Sequence, residues 1–234
     1  MLEKGLITEV EIIDLNHTGQ GVAKIDNFVV FIDGAIKGDR TKIELIEIKK
    51  NYAVGKLLKI MTPSINRINP PCKHFNDCGG CQLMQLDYKE QLIYKRNRVI
   101  NEFKRSQINF DDSLVKDTIG MEEPFRYRNK TSFSVREKNN EIQIGPYEQG
   151  TYNTVDIDGC MVQSEEADNV LRAFKNLLVK YKIKVYDKNS KGGIVRNIVI
   201  RNNRRNELMV IIVTTIENFQ NKNLLVKDLV SLVP

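Results

Sequence analysis

The chain has 234 residues, 41% hydrophobic and 28% charged, so it can bury substantial cores and is long enough for two domains. No run approaches the ~20 apolar residues of a membrane span, and Met1-Leu2-Glu3-Lys4 lacks the charged-then-apolar pattern of a secretion signal; the expectation is a cytoplasmic protein with no membrane partner. A net charge of +6 and a pI near 9.0 favour an anionic partner, for which nucleic acid is the usual one.

Residues 4–60 read as all-β. Apolar, β-branched runs at 7–13, 21–25, 28–32, 41–48 and 53–60 are separated by turn signals such as Asp26-Asn27, Asp33-Gly34 and Lys37-Gly38-Asp39. Five short strands in under sixty residues predict a small closed barrel of the oligonucleotide-binding type. The run Gly19-Gln20-Gly21-Val22-Ala23-Lys24, followed by Phe28-Val29-Val30-Phe31-Ile32-Asp33-Gly34-Ala35 and Gly38-Asp39, resembles a TRAM domain. TRAM domains are small RNA-binding barrels appended to RNA-modifying enzymes. Residues 1–60 hold nine Lys/Arg and nine Asp/Glu, so this neutral barrel would meet RNA only by local placement, as at Lys49, Lys50 and Tyr52. The opposing reading is that these loop charges are simply solvated.

Residues 61–71 carry three prolines and read as a linker. Cys72, Cys78 and Cys81 follow at Cys-x5-Cys-x2-Cys spacing, and the fourth cysteine, Cys160, lies 79 residues further on. Four thiolates can close a metal site. Gly79-Gly80 suits such a loop because glycine tolerates φ > 0 and lets backbone N–H groups aim at sulfur. Disulfides suit an intracellular chain poorly; scattered buried thiols are the bland alternative. Zinc prefers two short cysteine pairs, whereas three plus one is the habit of iron–sulfur clusters, so the spacing favours iron–sulfur and leaves zinc open.

A helix comes next, capped by Asp87 with Glu90 three residues on. Tyr88, Leu92, Val99 and Phe103 are expected to face the protein, with Lys95, Arg96, Arg98, Lys104 and Arg105 mostly elsewhere on its surface. The run from Pro124 to Arg136 alternates like a strand and interleaves aromatics with bases, as in Phe125-Arg126-Tyr127-Arg128-Asn129-Lys130, a mixture suited to nucleic acid. Such a strand puts Arg126, Arg128 and Lys130 on one face. Phe133 falls on the other, as a stacking platform past a bulge or as plain core. A strand at 141–145 precedes Gly159-Cys160. Ser164 can cap a second helix whose apolar stripe is Val170, Leu171, Phe174, Leu177, Leu178 and Tyr181. Strands at 194–200 and 208–213 follow, then a helical pattern from Leu224 towards Pro234. Residues 191–205 carry five bases (Lys191, Arg196, Arg201, Arg204, Arg205) and no acid.

The order of parts is a TRAM-like barrel, Cys-x5-Cys-Gly-Gly-Cys, a helix with Gln91, Leu92 and Lys95, Tyr-Arg-Asn-Lys at 127–130, Gly159-Cys160, and Arg-Asn-Ile-Val-Ile-Arg at 196–201. It resembles the front portion of the RNA uracil-5-methyltransferase family, in the iron–sulfur branch acting on ribosomal RNA. The resemblance implies a multi-domain protein: a TRAM-like, OB-like all-β barrel over 1–60, a linker over 61–71, and an α+β iron–sulfur RNA-recognition domain over 72–234. It implies a [4Fe–4S] cluster on Cys72, Cys78, Cys81 and Cys160. It also implies S-adenosylmethionine as methyl donor and RNA as partner, 23S rRNA first and tRNA second. In the family a cysteine adds to uracil C6 and a carboxylate later removes the C5 proton.

The family's catalytic parts sit on a C-terminal Rossmann-like domain. Up to Pro234 there is no glycine-rich strand-to-helix turn for the cofactor, and all four cysteines are assigned to the cluster; Cys160 as nucleophile is the opposing reading. The expectation is that the Rossmann-like methyltransferase domain is absent, that no catalytic or cofactor-binding residue carries over, and that the chain alone is an inactive monomer. RNA contacts are expected at Arg126, Arg128, Lys130 and Phe133, extended by Arg196, Arg201, Arg204 and Arg205, with Lys49 and Lys50 on the barrel. Two other classes compete: a stand-alone RNA-binding iron–sulfur or zinc module, and a radical enzyme like the methylthiotransferases, whose motif is Cys-x3-Cys-x2-Cys.

Overall fold

A computed structural model describes residues 2–205 and 207–233; Pro234, where the last helical pattern was expected to end, lies outside them. The chain divides into two compact units. Unit 1 comprises Met1–Pro71 and Cys81–Met121; unit 2 comprises Cys72–Gly80 and Glu122–Pro234. The first helix therefore groups with the barrel, whereas the sequence places everything from Cys72 onward in one domain.

Unit 1 is built on strands β1 (Ile7–Glu11), β2 (Asp14–Leu15), β3 (Gly21–Ile25), β4 (Phe28–Ile32), β5 (Arg40–Ile48) and β6 (Tyr52–Thr62), in the order β1-β5-β6-β4-β3-β2. One stretch of chain supplies both edges, because β1 pairs with β5 while β2 pairs with β3. The Ile13 N–H donates to Val22 O at 2.8 Å between the two, so the sheet curls back on itself. Alternation drives the burial. Ala23, Val30, Ile32, Ile43, Leu45 and Ala53 point inward and form one cluster with Val10 and Ile12.

The proline-rich segment after β6 is not a free linker. Asp39, 0% exposed, accepts the N–H groups of Ile36 and Ser64 at 2.8 and 2.9 Å and the Arg67 guanidinium at 2.6 Å. A buried carboxylate demands such partners, and it draws residues 64–67 onto the barrel. The helix α1 (Tyr88–Arg105) starts where Asp87 accepts the Lys89 N–H at 2.9 Å. Its stripe differs from the expected one: Ile100 is buried, while Val99 and Phe103 are exposed and Phe103 meets Phe110 edge-on with ring centroids 5.1 Å apart.

Unit 2 is an antiparallel sheet of β7 (Lys130–Lys138), β8 (Glu141–Gly145), β9 (Val195–Asn202) and β10 (Leu208–Thr214), ordered β10-β9-β7-β8. Helices α2 (Glu165–Lys180) and α3 (Lys222–Leu232) pack with it. Ser164 caps α2 by accepting the Ala167 N–H, and Glu165, Glu166 and Asp168 in the first turn suit the helix dipole. Val170, Leu171, Phe174, Leu177 and Leu178 are buried against Phe133, Val135, Ile198 and Ile200; each large side chain so buried contributes about 1.5–3 kcal/mol.

Candidate metal centre and basic surface

Strand β7 begins at Lys130, not at Pro124. Arg126 takes φ +55°, a left-handed conformation that breaks strand alternation. Arg126, Arg128 and Lys130 therefore do not share a strand face. Instead the Arg126 N–H donates to Met161 O and the Arg128 N–H to Val162 O, at 2.9 and 2.7 Å, which lays the segment beside the one carrying Cys160. Phe133 is 5% exposed in the core of unit 2, where no base can stack on it.

None of the four cysteines is in a disulfide, and all are partly buried. Cys72 and Cys78 sit in a compact loop in which the Phe75 N–H donates to Cys72 O and the Cys78 N–H to His74 O. Gly79 fastens this loop to the chain after β8, donating its N–H to Tyr147 O at 3.0 Å. Asp158 draws the loop towards Cys160: it accepts from Lys73 Nζ at 2.8 Å, and this contact, the largest influence on it, holds its carboxyl below the usual range.

The two glycines act through space and not through φ > 0, since neither takes a left-handed conformation. A Cβ on Gly80 would meet Cys78 Sγ at 3.2 Å, and one on Gly79 would meet Tyr147 O at 3.2 Å. The Gly80 N–H donates to Cys78 Sγ at 3.3 Å, as the sequence expects of a sulfur-cradling loop. Burial pushes the Cys78 thiol up; Cys160 and Cys72 push the same way, while the Gly80 N–H and Arg128 oppose them. Cys72 and Cys160 thus each lie within electrostatic reach of Cys78. Cys81 follows Gly80 directly and opens the second segment of unit 1. The donor chemistry fits a thiolate-ligated centre, with a glycine cradle and a backbone N–H on sulfur. Among the described residues, however, no three His, Cys, Asp or Glu side chains are gathered into a set that could hold a metal ion.

Arg126 and Arg128, expected on RNA, brace this region. Arg126 Nη1 donates to Cys160 O, Gln163 O and Asp168 Oδ2 at 2.9, 3.0 and 2.6 Å. Asp168 is buried, and it also accepts the Cys160 N–H at 2.8 Å and the Gln163 amide. Arg128 Nη2 donates to Gly80 O at 2.8 Å. Gln163 and Asp168 were missed by the sequence reasoning, and the one signal that could have found them was their closeness to Cys160.

The other basic candidates are exposed. Lys130 and Arg201 face each other across β7 and β9. Arg204 and Arg205 lie in the turn after β9, and Arg196 lies over the Tyr186 ring at 4.7 Å. On the barrel Lys49 pairs with Glu47 at 2.5 Å, which raises its pKa, and Lys50 is exposed.

Residues 2–58 match the TRAM domain family model. Over 95% of its length it is 39% identical to an uncharacterized RNA methyltransferase of Staphylococcus aureus, covering 49% of that protein. It is 36% identical over 97% of its length to another from Clostridium tetani, again covering 49%. The chain thus spans about half the length of the curated relatives it matches. Its fold is similar to the crystal structure of the Pyrococcus abyssi tRNA (uracil-54, C5)-methyltransferase in complex with S-adenosyl-L-homocysteine, at TM-score 0.67 and 22% identity, over 92% of this chain and 48% of that one. These findings overturn the expectation of an absent catalytic domain. The relatives are methyltransferases matched along nearly the whole chain, and spanning half of each gives no ground for a missing domain or an inactive protein. Among the described residues, no helix is long and apolar enough to cross a membrane.

Proposed function

We propose that these residues form the RNA-recognising part of an S-adenosylmethionine-dependent RNA uracil-C5 methyltransferase working in the cytoplasm on ribosomal RNA, 23S rRNA first, with tRNA as the alternative substrate. The observation that carries this reading is the likeness to RNA methyltransferases along nearly the whole chain, with a TRAM domain at its front. No residue among the 234 is assigned to the methyl donor.

Cys72, Cys78, Cys81 and Cys160 would hold a [4Fe–4S] cluster. Bound there, it supplies iron–thiolate bonds that tie residue 72 to residue 160. Arg126, through Asp168, and Arg128, through Gly80 O, hold the backbone beside those thiols. Phosphate contact falls to the exposed bases Lys130, Arg196, Arg201, Arg204 and Arg205, with Lys49 and Lys50 secondary, because an exposed guanidinium can engage phosphate bidentately.

The test is methyl transfer. The protein carrying this chain, incubated with unmodified rRNA and methyl-labelled S-adenosylmethionine, should place label on C5 of a uracil. Label on another base or atom, or transfer to tRNA alone, overturns the rRNA uracil assignment.

A further inference from the structure

Within unit 1 a cleft of about 430 Å³ opens between the barrel and helix α1. From the helix it is lined by Glu90, Ile93, Tyr94, Asn97, Arg98 and Asn101, at spacings i, i+3, i+4, i+7, i+8 and i+11. That is one helix face. A face turned towards a barrel is ordinarily apolar, yet this one is largely amide and charge. The opposite wall offers Lys37 and Asn66, and Ile65 at the rim is 98% exposed.

We propose that this cleft binds one unstacked nucleotide of single-stranded RNA. The proposal rests on the RNA-binding reading above. The carboxamides of Asn66, Asn97 and Asn101 each present both a donor and an acceptor, the pairing that a base edge requires. Ile65 and the half-exposed Ile93 supply apolar surface for the base faces. Lys37 and Arg98 supply positive charge for the flanking phosphates, and the Arg98 guanidinium is steadied by donating to His17 O at 3.0 Å. Tyr94 closes the floor, its hydroxyl donating to Asn16 O at 2.6 Å. Base contacts of this kind act on unpaired nucleotides, because a duplex keeps its base edges paired and stacked. The basic strands of unit 2 would engage phosphate in either form of RNA.

The experiment uses the whole protein, a fluorescein-labelled oligouridine of eight nucleotides, and an RNA duplex of equal charge. Anisotropy is read at several salt concentrations. The double substitution Asn97→Ala with Asn101→Ala should weaken oligouridine binding by roughly tenfold, the scale of one or two base hydrogen bonds, with the salt slope and the duplex affinity unchanged. Ile65→Ser, at a position too exposed to affect folding, should weaken oligouridine binding in the same direction. Equal losses for both RNAs, or no loss in either variant, overturn the cleft. If the unsubstituted protein binds neither RNA, the RNA-recognition reading falls and takes the cleft with it.

Discussion

Arg126 Nη1 stands 2.6 Å from Asp168 Oδ2, and the other oxygen of that carboxylate accepts the backbone N–H of Cys160 at 2.8 Å. The arginine thus acts on the cysteine through a buried acid. Arg126→Ala leaves that acid short of its cation and should destabilise unit 2 by about 2 kcal/mol, the scale of a hydrogen bond to a charged group. It should also lower metal content while leaving the salt slope of RNA binding as it was. Urea unfolding with metal analysis checks this. A variant of full stability with a reduced salt slope would return Arg126 to the RNA surface.

The Asp39–Arg67 pair makes a sharper stability prediction. Asp39 is fully buried, so Arg67→Ala strands a carboxylate without its cation. Such substitutions cost about 3–5 kcal/mol, and the urea midpoint of unit 1 should fall accordingly. A change smaller than about 1 kcal/mol, the range of exposed pairs, would mean that residues 64–67 are tethered by something else.

A pH signature is expected between α2 and α3. Asp228 accepts from Lys180 Nζ at 2.7 Å and from the Tyr181 hydroxyl at 2.6 Å, with Lys180 the larger influence, and its carboxyl is held low. A depressed folded-state pKa stabilises above the unfolded value, near 3.9 for aspartate, and that stability is lost as pH falls through the folded value. Asp228→Asn should therefore melt below the unsubstituted protein at pH 7, and the two curves should converge below pH ~4. A constant difference across that range would remove the ion pair from the account.

On the basic sheet, Lys130→Ala with Arg201→Ala should reduce the salt slope of RNA binding by roughly 0.7 to 0.9 for each phosphate no longer neutralised. If slope and affinity stay put while Lys49→Ala with Lys50→Ala abolishes binding, the barrel is the main RNA surface.

Local pattern was legible in the sequence. Ser164 and the Val170–Leu178 stripe announce α2 because cap and periodicity lie within a few turns. The turn pairs Asp26-Asn27 and Asp33-Gly34 mark strand ends for a similar reason. What escaped depends on residues far apart in sequence. Asp39 and Arg67 read as loop charge and linker, because nothing local says that one is buried and the other reaches it. The alternation from Phe125 to Lys130 reads as strand because a left-handed residue at Arg126 leaves no mark in residue type, and its arginines look like RNA ligands until their acceptors beside Cys160 and Gly80 are known. The sequence picks out the glycines of the cysteine loop for backbone freedom, whereas the structure uses their missing Cβ.

The central claim is that the four cysteines form one iron–sulfur centre in an RNA methyltransferase. It is tested most directly by purifying the protein without oxygen and measuring its absorption, iron and acid-labile sulfide. The account predicts a brown protein with about four irons and four sulfides per chain, lost on Cys160→Ser together with part of the thermal stability. Stoichiometric zinc without sulfide, or a Cys160→Ser variant of unchanged metal content and melting temperature, would contradict it.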